Sequence, residues 1–216
     1  MSVLKRPATV LLTSVALAVA VAVALAAGPA SAAAPKTWTI SRGGAVALAV
    51  KGFTLEDATA GFSLPCKASA AKAKLKAGKR LSGTAAGTVT AASATGCSTE
   101  GFTIKIAAGH LPWHLDLVSY NAAKGVTTGA LTGMHLSLSV PAVGCTAVAD
   151  GTAGNADNGS LAVAYTNKTA KLTTLKTGGK LHLYDIHNCL GLISDGDTVT
   201  ISAAYAVSPA QKITSP

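Results

Sequence analysis

The sequence predicts an all-β fold, an antiparallel sandwich or barrel of about ten to twelve strands, from three observations. Short apolar runs alternate with polar residues at the two-residue period of a half-buried strand, as in Phe102, Ile104 and Ile106. Clusters of Gly, Asn and Asp separate those runs at short intervals. Ala, Gly, Thr, Ser and Val dominate and only 4% of residues are aromatic, a composition that suits small-residue strands better than amphipathic helices.

The chain opens with a segment that does not belong to that fold. Lys5 and Arg6 form a positive start, and residues 8–27 are apolar apart from Thr9, Thr13 and Ser14. Gly28-Pro29 breaks the run, and Ala30-Ser31-Ala32 supplies small side chains where a signal peptidase needs them. Residues 1–32 are therefore expected to be a secretory signal peptide, and residues 33–216 a single secreted β domain. Removing Lys5 and Arg6 from the 18 basic residues leaves 16 against 9 acidic ones, a formal charge of +7. Four cysteines in an exported chain imply two disulfides. The pairing expected is Cys66–Cys97 and Cys145–Cys189, because each bridge closes a local unit without crossing the central meander. A zinc site made of all four is disfavoured by the lack of any C-x-x-C spacing.

Residues 37–41 (TWTIS) open the first strand, and Arg42-Gly43-Gly44 turns it into a second over residues 45–50. Phe62, Leu64 and Cys66 alternate with Ser63 and Pro65, and Pro65 puts that strand at an edge or a bulge. Residues 67–80 (KASAAKAKLKAGKR) mix helix-favouring Ala and Lys, yet Lys72, Lys74 and Lys76 line one face only if the segment is a strand. Strand is the reading taken, with a turn at Ala77-Gly78. The central meander follows: Phe102, Ile104 and Ile106 inward, then Trp113, Leu115 and Leu117. A loop over residues 121–125 returns the chain. Leu131 and the set Met134, Leu136, Leu138 have opposite parity, so Gly133 is expected to form a β-bulge between them. Residues 150–159 (DGTAGNADNG) form a loop of residues suited to positive φ and Asx-turns. Leu161, Val163 and Tyr165, then Leu181 and Leu183, share inward faces. So do Val199, Ile201, Ala203, Tyr205 and Val207 in the last strand.

Five pieces carry a resemblance: TWTISRGGA, LPWHLDLVSYNAAKGVTTGALTG, GCTAVADGTAGNADNGSLAVAYTN, NCLGLISDGD and AYAVSPAQKITSP. In them the chain resembles the small secreted actinobacterial proteins rich in Ala, Gly and Thr, a group with no assigned function. The resemblance implies export, a disulfide-bonded β fold and a single domain, and it brings no catalytic residues. The chain departs from the group's pattern at residues 67–80, where Ser, Thr and Gly are expected in place of lysines.

Few constellations suggest chemistry. No G-x-S-x-G elbow is present, and Gly96-Cys97-Ser98 is not one. Nine acids, mostly in turn-like contexts, offer no paired carboxylates for glycosidase work. The expectation is a non-enzymatic protein with no cofactor. The weak candidates for metal ligands are His110, His114, Asp116 and His135. His114 and Asp116 share a strand face, and a shift at Gly133 would set His135 opposite His110, giving an imidazole and carboxylate set suited to zinc or copper. Solvent-facing polar residues on the wet face of an antiparallel sheet are the reading preferred for them over a metal site. Asp195 with Asp197, and Asp150 with Asp157, lack the twelve-residue spacing of a calcium loop and are read as turn residues. Lys67, Lys72, Lys74, Lys76, Lys79 and Arg80 either deter edge pairing or engage an anionic surface such as cell-wall polymer or membrane headgroups. Nucleic acid is not expected, since no aromatics interleave with the lysines. The function expected is that of a secreted or cell-envelope binding or structural component. The alternatives are a β-barrel small-ligand binder or pore and, less favoured, a secreted hydrolase.

Overall fold

The computed structural model describes residues 36–216, and the expected leader, 1–32, lies outside them. The described residues are all strand, turn and irregular chain. In order they form β1 (Trp38–Ser41), β2 (Gly44–Asp57), β3 (Phe62–Leu75), β4 (Gly78–Leu81), β5 (Gly87–Thr95), β6 (Cys97–Thr99), β7 (Phe102–Gly109) and β8 (Trp113–Asn121). Then come β9 (Val126–Val140), β10 (Cys145–Asp150), β11 (Gly159–Thr166), β12 (Lys171–Thr174), β13 (His182–His187), β14 (Val199–Ser202), β15 (Ala204–Ser208) and β16 (Lys212–Thr214).

Eight of these close an antiparallel barrel. Going round, β2 pairs with β3, β3 with β5, β5 with β8, β8 with β9, β9 with β11, β11 with β12, β12 with β15, and β15 returns to β2. Closure leaves this ring no free edge to template aggregation. The all-β class is as expected, and of the two architectures left open by the sequence the barrel is the one formed.

Strand interruptions account for much of the rise from the expected ten to twelve strands to sixteen among the described residues. β7 and β8 both run antiparallel to β9 and are one long strand broken at residues 110–112. β14 and β15 likewise both pair with β2. The remaining excess is short: β6 at the margin of β7, and β1, β4 and β16 in a separate three-stranded sheet ordered β16-β1-β4. Phe102, expected inward, is 38% exposed, because at this end β7 pairs only with the three-residue β6.

The long β9 changes neighbours along its length. Residues 126–132 lie between β8 and β11, whereas residues 135–139 lie beside β7, with β10 pairing over 136–140 on the other flank. Gly133 stands at the change with φ 76°, and the register with β11 jumps there from Met134↔Gly159 to Thr132↔Ser160. The expected bulge is thus present, and it lets both Leu131 and Met134 face the interior.

Two of the three hydrophobic clusters among the described residues carry the tryptophans. The larger includes Phe53, Leu64, Trp113, Leu136, Val163 and Ile201. In the other, Trp38 and Ile40 of β1 and Ile213 of β16 pack on Leu117 and Tyr165. Both expected disulfides are formed, Cys66–Cys97 and Cys145–Cys189. The first ties β3 to β6 and the second ties β10 to the segment after β13. Each is worth on the order of 2–4 kcal/mol, and together they mark a chain that folds in an oxidising environment.

Candidate functional site

The barrel interior is not filled. A cavity of about 160 Å³ runs through it, walled on one side by Ala71 and Ala73 of β3, Ala92 and Ala94 of β5 and Ala108 of β7. Facing them are larger side chains, among them Leu131, Leu136, Leu161, Leu172 and Ile201. An eight-stranded barrel is just wide enough for side chains to fill it or for one small ligand to be held. Here the inward alanines stop short of the facing leucines, and the gap between them is the lumen.

The polar groups that border this space are engaged within the fold. Tyr165 donates its hydroxyl hydrogen to the Gln211 carbonyl at 2.9 Å and accepts from the Gln211 amide at 3.0 Å. Thr127 donates to the Ile213 carbonyl, and Thr174 donates to the Ile201 carbonyl while accepting from the Ala203 amide. Tyr205 donates to Ser69 at 3.1 Å. Burial pushes the Tyr205 phenol above its usual pKa of 10.0, and the Ser69 bond offsets only part of that. The lumen therefore offers mainly contact with methyl and methylene groups, and the hydroxyls of Thr127, Tyr165, Thr174 and Tyr205 are committed to partners in the fold.

A second, polar place lies where β7, β9 and the 151–158 loop meet. Asp150 ends β10 fully buried. Its Oδ1 accepts from the amides of Gly151 at 2.6 Å and of Asn158 and Gly159 at 3.0 Å each. Its Oδ2 accepts from the Asp157 amide at 3.0 Å and faces His135 Nδ1 at 3.1 Å. Burial alone would raise the pKa of this carboxyl. The Gly151 amide, the His135 ring and the amides of Asn158 and Asp157 together outweigh burial and hold it below the usual 3.8. The glycine-rich loop is thus wound round one carboxylate, and the winding delivers Asp157 to the histidines.

His135 comes from β9 two residues after the Gly133 bulge, opposite Gly109. A Cβ on Gly109 would stand 2.6 Å from the His135 ring, so the lack of a side chain there is what gives the ring its place. His110 sits at the break between β7 and β8, in left-handed backbone at φ 49°, and Trp113 Nε1 donates to the Gly109 carbonyl across that break at 3.0 Å. The two imidazoles stack with centroids 4.2 Å apart and planes 15° from parallel. His110 Nδ1 contacts Asp157 Oδ1, and His135 Nδ1 is 3.4 Å from the same oxygen.

Of the four candidate metal ligands, the structure brings His110 and His135 together and leaves the other two apart from them. His114 is exposed, opposite Thr132. Asp116 accepts from the Ala85 amide at 2.7 Å and from the Thr132 hydroxyl at 3.1 Å, pinning the loop before β5. The sequence pattern pairs Asp150 with Asp157 as turn residues and does not join either to the histidines. The one signal for them was a pair of aspartates in a run of Gly and Asn, and that run reads equally well as a turn. Lys67, Lys72, Lys74, Lys76, Lys79 and Arg80 are all exposed. Lys72 and Lys74 project from the outer face of β3, and Lys76 falls just past its end. Asn158 and Asn167, which open the runs Asn-Gly-Ser and Asn-Lys-Thr, have their side chains bonded to Thr152 and to the Ile213 backbone.

No known protein family, curated protein or solved structure matches this chain.

Proposed function

We propose that the chain is an exported, non-enzymatic β-barrel protein that carries one small apolar molecule in its lumen. The observation that supports this reading is the cavity of about 160 Å³ between the alanines of β3 and β5 and the leucines opposite. Apolar cavities of about that size stay dry and accept benzene-sized guests. The spent hydroxyls around it favour a hydrocarbon guest over a polar one, since a polar ligand would lose its hydrogen bonds to water without replacement. Sidedness supports a carrier over a pore. Inward residues are mostly apolar, among them Val46, Leu48, Trp113 and the alanines of β3 and β5, while Lys72 and Lys74 face outward on β3 beside Ala45, Ala47 and Ala49 of β2. Membrane barrels have the reverse arrangement, apolar outside and polar within. Export is supported by the leader-like segment and by the two disulfides.

The test is calorimetric titration with benzene of the wild type and of Ala92→Leu, whose larger side chain projects into the space. Saturable binding to the wild type that the variant loses is the expected result. Absence of binding to the wild type, or equal binding to both, would refute the reading.

A second role as a cell-envelope component is favoured by the row of exposed lysines on β3. Pull-down on isolated cell wall is expected to weaken with salt and on neutralising Lys72, Lys74 and Lys76. Retention that is indifferent to both would remove that role.

A further inference from the structure

The geometry points to a binding site for one divalent transition-metal ion of the zinc class, formed by His110, His135 and Asp157. One ligand atom from each of the three lies within 4.8 Å of the other two. They come from three separate stretches of chain, the β7–β8 break, the second half of β9 and the 151–158 loop, so chain proximity does not account for their meeting. Two imidazoles and a carboxylate are a donor set that suits zinc, and three protein ligands leave a position for solvent. Calcium needs six or more oxygens and is not served here.

The supporting residues fit the same assignment. A buried carboxylate behind a metal-binding histidine fixes its ring. Asp150 faces His135 at Nδ1, 3.1 Å away, which leaves Nε2 of that ring as the atom for the ion, and the His135 side chain is only 9% exposed and lies against Gly109. Charge is balanced as well, because a +2 ion would stand beside the carboxylates of Asp157 and Asp150. His110 is the adjustable member. Nearly parallel rings cannot both aim in-plane lone pairs at one ion, so one must turn, and the His110 side chain is 54% exposed and free to do so. Asp157 is also accessible, at 44%. The site stands apart from the lumen reading, and either can fail without the other.

The experiment is calorimetric titration of zinc into the purified protein, free of any polyhistidine tag and in a non-chelating buffer, alongside His110→Ala, Asp157→Ala and His114→Ala. One ion per chain is expected for the wild type and for His114→Ala. His110→Ala and Asp157→Ala should each weaken binding by more than the ~10–100-fold typical of losing an outer carboxylate. Both residues are exposed, so unchanged melting temperatures without zinc would establish that the variants are folded. A wild type that binds no zinc would overturn the proposal, as would binding that survives both substitutions or is lost with His114.

Discussion

Up to Gly133, β9 runs between β8 and β11 and meets the cluster in which Trp38, Ile40 and Ile213 pack on Leu117 and Tyr165. Beyond Gly133 the same strand runs beside β7 and β10, and its His135 meets a buried carboxylate instead of an aromatic ring. The first region is held by apolar area, which is non-directional and tolerates adjustment. The second is held by five directed hydrogen bonds to Asp150, which fix a loop of small residues that could not bury enough surface to order itself. The alanine-walled lumen borders the first region through Leu117, Tyr165 and Ile213.

The largest effect that separates the two regions is expected from Trp38→Ala. It removes a ring that is 1% exposed and should lower unfolding free energy by about 3–5 kcal/mol. Urea denaturation measures this, and because the loss is apolar it should be nearly independent of pH. Asp150→Asn should cost less, about 2–3 kcal/mol, since the amide retains one acceptor and sets a donor against N–H groups. Its cost should depend on pH in a definite direction. The Asp150 carboxyl is held below its usual value in the folded chain, so the stability it contributes is fully present above the unfolded pKa. That contribution is lost as pH falls through the folded value. Wild type and Asp150→Asn should therefore converge as acid is added, while wild type and Trp38→Ala remain separated. A constant gap for Asp150→Asn would break the distinction drawn between the two regions.

Much of the scaffold was legible in the sequence because strand parity is local. Leu161, Val163 and Tyr165 alternate by two, and the phase change between Leu131 and Met134 could be repaired only by one extra residue, which Gly133 tolerates. The cysteine pairing was legible because each bridge spans one local unit. Other features depended on what lies across space. The break at residues 110–112 moves the inward set from the even positions Ile104, Ile106 and Ala108 to the odd positions Trp113, Leu115 and Leu117, a phase change that a hairpin turn would leave in the sequence just as well as a break within one strand. Asp116 shares its face with His114 yet is claimed by Ala85 and Thr132, a contact over long sequence distance. Asp157 joins the histidines only because Asp150 collects four amides of its own loop, and a sequence of Gly, Asn and Asp does not reveal which way such a loop will wind. The lumen was not legible in the sequence: small side chains suit strands, and composition alone does not say which of them meet inside a closed barrel. Which alanines face inward depended on the shift of phase between Cys66 and Ser69 in β3.

The smallest expected stability change is that of Ala92→Leu, within ~1 kcal/mol, because the added atoms enter space that is already present. A guest in the lumen should instead be visible atom by atom. The most direct measurement is methyl NMR of alanine-labelled protein titrated with benzene. The account expects saturable shifts of the Ala71, Ala73, Ala92, Ala94 and Ala108 methyls, with Ala45, Ala47 and Ala49 on the outer face unmoved. Shifts confined to the outer alanines, or no shifts at all, would contradict it.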